Sequence, residues 1–144
     1  MKELDFAKDV LEKEAYTLVI VKEGKVIFSS KDKGIKPMYT AVYSIKEKLE
    51  GASVADRIIG RAAAILCKYA KIKALYTKVI SDSAVSVLKN SDILFRYEEK
   101  SLYIKNRDQT GICPVEQLSQ DIDNPIILID RIKSFLEDRK KENI

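Results

Sequence analysis

Residues 51–70, GASVADRIIGRAAAILCKYA, decide how the chain divides into elements. Apolar side chains stand at 54, 55, 58, 59, 62, 63, 65, 66 and 69, the spacing of one broad helix face. Ser53 has N-cap chemistry, and Asp56 follows where an acid completes a capping box. The spacing predicts one helix over the stretch, packed on a sheet and partly covered by another helix. Gly60 weakens such a helix by about 1 kcal/mol relative to alanine. Close approach by a neighbouring backbone is the expected compensation.

Upstream, Leu4, Ala7, Val10 and Leu11 fall on one face of a short amphipathic helix. Residues 16–30, YTLVIVKEGKVIFSS, read as a hairpin turning at Glu23-Gly24. Its first strand is apolar from Leu18 to Val21, which predicts burial on both faces. Pro37 suits the first turn of a helix reaching Leu49, with Val42, Ile45 and Leu49 inward.

Downstream, IKALYTKVIS (72–81) reads as a buried strand, SDSAVSVLKNS (81–91) as a capped helix and DILFRYEEK (92–100) as a strand. SLYIKN (101–106) has edge-strand character and RDQTG (107–111) is a turn. A short helix starts at Pro114. A last helix starts at Asn124-Pro125 and presents Ile126, Ile129, Ile132 and Leu136 to the core. A hairpin feeding alternating strands and helices predicts a three-layer α/β/α domain with a mixed sheet. With no internal repeat and no linker, residues 1–144 read as one domain.

Composition removes several chemistries. The chain has no histidine, so a Ser-His-Asp triad, a Cys-His dyad or a histidine-ligated metal cannot be built. Its 26 basic and 22 acidic residues are interspersed and leave +4. Without a basic stripe or stacking aromatics, nucleic acid is not an expected partner. No apolar run approaches the roughly 20 residues of a membrane span, and no export signal opens the chain, so neither a membrane nor export is expected. Two cysteines 46 positions apart suit a reducing cytoplasm.

Three segments together, GASVADRIIGRAAA, KVISDSAVSVL and NRDQTGICPVEQL, resemble a bacterial family of unknown function. The resemblance runs from about Tyr16 to the last helix. It implies a divergent cytidine-deaminase-like fold and carries no established activity. Zinc deaminases place a His- or Cys-containing motif with a glutamate at one helix start and P-C-x-x-C at the next. SVADR and SDSAV would hold those places here, without histidine or cysteine. Neither a metal nor another cofactor is therefore expected.

The resemblance sets the two helix starts side by side. Ser53, Asp56 and Arg57 would then share a crevice with Ser81 and Asp82, using helix amides for an anion and Asp56 for an amine or ring N–H. Ser53 and Asp56 are equally an ordinary capping box. Asn106, Arg107 and Thr110 form a polar turn whose spacing imitates half an EF-hand loop; Gln117 stands where the bidentate glutamate belongs. Cys113 has three readings. It is a thiolate nucleophile with Asp56 or Glu116 as proton carrier, a metal ligand, or the first residue of a Cys-Pro-x-Glu capping box. The resemblance thus implies a protein binding a small polar ligand such as a nucleotide or nucleobase derivative. A thiol-dependent enzyme and a non-catalytic interaction module are the alternatives, and self-association stays open.

Overall fold

The computed structural model describes residues 2–102, 104 and 113–142. The elements are α1 (Lys2–Lys13), β1 (Leu18–Lys22), β2 (Lys25–Ser30), α2 (Lys36–Leu49), β3 (Ser53–Ile59), α3 (Arg61–Tyr69), β4 (Ala74–Ser81), α4 (Asp82–Lys89), β5 (Leu94–Ser101), α5 (Pro114–Ser119) and α6 (Pro125–Glu142). The sheet is five-stranded, in the order β2-β1-β3-β4-β5. β1 runs antiparallel to both β2 and β3, whereas β3, β4 and β5 are parallel. This is the expected mixed sheet between helical layers.

The layers are unequal. Leu4, Ala7 and Leu11 of α1 bury one sheet face with Val19, Val21, Ala55, Ala74 and Tyr76. The opposite face carries the main core, to which α2, α3, α4, α5 and α6 all contribute. Leu18 to Val21 face both cores in alternation, which is why that strand is apolar throughout. Glu23 and Gly24 both have positive φ, 53° and 77°. Such a turn matches the twist of the hairpin strands.

The stretch 51–70 is corrected. It is not one helix but strand β3, a hinge at Gly60 and the shorter helix α3. Ser53 caps nothing; it lies fully buried within the sheet. Val54, Ile58 and Ile59 suit a central strand by β-branching, and β3 has a partner on each side. The misleading spacing has a geometric cause. Val54 and Ile59 both face the main core, although strict alternation would separate them. The β3–β4 register contains no Arg57–Lys78 pair, and the Arg57 amide instead donates to Thr17 O at 3.2 Å. That irregularity gives a strand the look of a helical period.

Two further expectations change. Among the described residues of SLYIKN, Ser101 ends β5 while Leu102 and Ile104 lie outside any strand. Asn124 caps α6 as predicted, its Oδ1 accepting the Ile126 amide at 2.8 Å. Ile132 is in the core and Ile129 and Leu136 pack against it as expected, but Ile126 is 59% exposed and Leu128 is buried in its stead.

Candidate functional site

α3 and α4 begin where the parallel strands β3 and β4 end, and the Ile59–Ile80 pairing sets these starts side by side. The expected geometry thus exists, with its first helix start at Gly60-Arg61 and not at Ser53–Arg57. Ser81 caps α4: its hydroxyl accepts the Ala84 amide at 3.1 Å. Asp82 opens that helix and pairs with Lys100 at 3.6 Å.

α3 has no capping side chain of its own. Glu116, nearly buried on α5, supplies one. Its Oε1 accepts the Arg61 amide at 2.6 Å and its Oε2 the Ile104 amide at 3.4 Å. A carboxylate is favoured at a helix start by the unpaired amides and the dipole. Gly60 makes the approach feasible, since a Cβ there would lie 2.5 Å from Glu116 Oε1. The expected close approach is real, but a carboxylate makes it and not a backbone.

Arg61 was missed in the sequence. Its guanidinium donates to Ser119 O at 2.9 Å, Ile122 O at 3.1 Å and Ser83 Oγ at 3.4 Å, and it pairs with Asp123. A cation at the positive end of a helix dipole needs compensating anions or acceptors. That mismatch at the first residue of an alanine-rich helix was the available signal.

Cys113 occupies the N-cap position of α5, yet its sulfur makes no capping hydrogen bond. Its amide donates to Ile104 O at 2.8 Å and not to the Glu116 carboxylate. The Cys-Pro-x-Glu capping box therefore does not form, because α3 has taken the glutamate. Asn106, Arg107 and Thr110, with their turn, lie outside the described residues.

Ser53 and Arg57 turn to the α1 face, away from the crevice. Ser53 Oγ donates to Glu3 Oε1 at 2.8 Å. Arg57 Nε donates to Tyr16 O at 2.6 Å and Nη2 to Leu11 O at 3.1 Å. The guanidinium thus ties Leu11 O, in the last turn of α1, to Tyr16 O in the segment that follows.

Asp56 points the other way. Ser30, Leu18, Asp56, Thr77 and Tyr97 form one row across all five strands, by register. Leu18 belongs to the main core, so the row faces the five-helix layer. The adjoining row, Phe28, Ile20, Val54, Leu75 and Phe95, is apolar from end to end. Asp56 therefore sits on an apolar bed. Burial pushes its carboxyl up to about 7, and the Ile58 and Arg57 amides and the Arg57 charge offset this only in part. Among the described residues no lysine or arginine forms an ion pair with it. Its Oδ1 accepts the Ile58 amide at 3.3 Å. Thr77 is fully buried and spends its hydroxyl proton on Val79 O at 3.0 Å, so its oxygen can only accept further bonds. Cys67, buried on α3, has its thiol pKa raised by burial and by the charge of Asp56.

The donor set does not fit zinc. The first turns of α2, α3 and α4 read Lys36-Pro37-Met38, Arg61-Ala62-Ala63 and Asp82-Ser83-Ala84, with neither thiolate nor imidazole. Among the described residues no group of three or more His, Cys, Asp or Glu could hold a metal. Nor is any helix of the described residues long and apolar enough to cross a membrane. A surface concavity of ≈ 590 Å³ opens elsewhere, at the N-terminal end of β4 beside Lys71, Lys73, Asn90 and Asp92.

Fold and site together define an α/β protein with a mixed five-stranded sheet and adjacent helix starts that carry neither cysteine nor histidine. The family model TM1506, Domain of unknown function (DUF1893), matches residues 6–136, and the chain belongs to that family. It is similar to a solved DUF1893 family protein (TM1506) from Thermotoga maritima, at 32% sequence identity and a TM-score of 0.85. The match covers 92% of this chain and 89% of that one. No curated protein matches.

Proposed function

We propose that this protein binds a small polar ligand without zinc, through the row that contains Asp56. The observation that carries the reading is an acidic side chain set on an apolar sheet face, with no lysine or arginine in an ion pair with it among the described residues. A carboxyl so placed gains from a ligand N–H and loses nothing already formed. Thr77 beside it offers an acceptor and no free proton. The row is complementary to a donor-rich group, such as an amine or the N–H edge of a nucleobase.

The nucleobase part of the reading rests on analogy with the deaminase-like fold. The adjacent helix starts support that likeness. A phosphate is less well served. Glu116 already fills the start of α3 and Ser81 caps α4, so a nucleotide would have to displace a protein oxygen. The thiol-enzyme reading is left with Asp56 as its proton carrier, because Glu116 is committed to the start of α3.

The test is a thermal-shift screen of bases, nucleosides and nucleotides, with and without chelator, on wild type and D56N. A bound ligand near 100 times its Kd adds about 2.7 kcal/mol. The expected result is a hit among bases or nucleosides, unaffected by chelator and lost in D56N. A hit retained in D56N moves the site elsewhere, and a shift with zinc alone overturns the reading.

A further inference from the structure

β5 is an outer edge of the sheet: among the described residues it pairs with β4 alone. It is eight residues long and exposed along most of its length. Leu94 is 64% exposed and Tyr97 42%. An open edge of this length is a template for another strand unless charges or bulges blunt it. β5 carries charges, so their order decides whether they repel a second copy.

We propose that two copies of this chain join β5 to β5 in antiparallel register, about a two-fold axis through Tyr97, giving one continuous sheet. With Tyr97 opposite Tyr97, Arg96 of each copy faces Glu98 of the other. Phe95 then faces Glu99, Leu94 faces Lys100, and no like charges meet. Moving the axis to residue 98 sets Glu98 against itself and Arg96 against Lys100. Moving it to residue 96 sets Arg96 against itself, and moving it to residue 99 opposes two copies of Glu99. Registers between these bring together side chains from opposite faces. An axis at residue 95 also avoids like charges but pairs only residues 94–96 of the strand, so the pairing through Tyr97 is the one that joins most of β5 without opposing like charges.

Face assignments agree with this choice. Arg96 and Glu98 both lie on the α1 face. Arg96 reaches Asp5 at 2.7 Å, and Glu98 stands beside Tyr76, whose phenol is pushed up to about 12 by burial and by that neighbour. On the helix-layer face Phe95 and Tyr97 already stack, with ring centroids 6.4 Å apart. Directly opposed residues in an antiparallel pair lie about 4.5–5.5 Å apart. Tyr97 and its twin would thus fuse two aromatic pairs into one cluster and cover surface that a single copy leaves in water.

Sedimentation of the full chain over a concentration range, with charge-swap variants, tests this. Wild type is expected at twice the chain mass. R96E sets Glu against Glu98 twice, and E98R sets Arg against Arg96 twice; each should weaken association at least tenfold. An equimolar mixture of the two should restore the dimer, because one strand then carries two acids and the other two bases. Far-UV circular dichroism confirms that both variants are folded. A monomeric wild type, single variants that remain dimeric, or a mixture that stays monomeric would each overturn the proposal. Arg96 and Glu98 lie on the sheet face opposite Asp56, so the charge swaps leave the Asp56 side of the sheet unaltered.

Discussion

Glu116 caps a helix that begins 55 residues earlier in the chain, its Oε1 accepting the Arg61 amide at 2.6 Å. This bond ties α5 to the end of β3. Removing the carboxylate leaves the amides of Arg61 and Ile104 without partners in a largely buried place. E116A is expected to lose about 2–3 kcal/mol, as when a charged hydrogen-bond partner is deleted. E116Q, which keeps an acceptor, should lose less. Urea denaturation of the three proteins measures both values.

Gly60 and Glu116 form a coupled pair. A methyl group at 60 meets the glutamate oxygen at 2.5 Å and Ile104 Cγ1 at 3.2 Å. G60A should cost about 1–3 kcal/mol through overpacking. In an E116A background the cost should fall markedly, because the Ile104 contact alone remains. Additive losses in the double-mutant cycle would show that the two residues do not meet.

Arg57 serves α1. R57A is expected to lose about 1.5–3 kcal/mol, as for hydrogen bonds made by a charged group. Amide exchange should accelerate in α1 before the rest of the chain. Ligand binding in the screen above should change little, since the Arg57 guanidinium is held on the α1 face and reaches Asp56 through its charge alone.

Asp56 makes stability depend on pH. Its folded pKa is about 7, whereas an unfolded aspartate titrates near 3.9. Between those values the folded chain keeps a proton that the unfolded chain has released. The stability this represents is complete below about pH 4 and declines as pH rises through 7, by about 1.4 kcal/mol per unit of pH. D56N removes this dependence. The stability difference D56N minus wild type should therefore grow from pH 4 to pH 7 and level off above it. A difference that is flat across this range would mean that the carboxyl is solvated.

The hairpin, α2 and the run from β4 to β5 could be read directly, since turn, cap and period all agreed there. Glu23-Gly24, Pro37, Ser81 and Asn124-Pro125 each mark a boundary by local chemistry. Residues 53–59 misled because a strand irregularity at Arg57 places Val54 and Ile59 on one face. No local preference announces such a break. The site was legible in its residue types and not in its grouping. Asp56 and Arg57 are neighbours in sequence, and the sheet sends them to opposite sides. Glu116 looked like the partner of Cys113 because three residues separate them. Its actual partners, Arg61 and Ile104, come from distant parts of the chain and were visible only once the strand ends were in place.

The strand order β2-β1-β3-β4-β5 has a consequence for synthesis. Once the hairpin exists, β3 joins the free edge of β1, and β4 and β5 each join the strand before them. A chain leaving the ribosome amino end first can extend its sheet without opening any pairing already made. The assembly remains open at the end of β3 until Glu116 emerges. A nascent chain stalled before that point would hold a complete sheet with α3 uncapped.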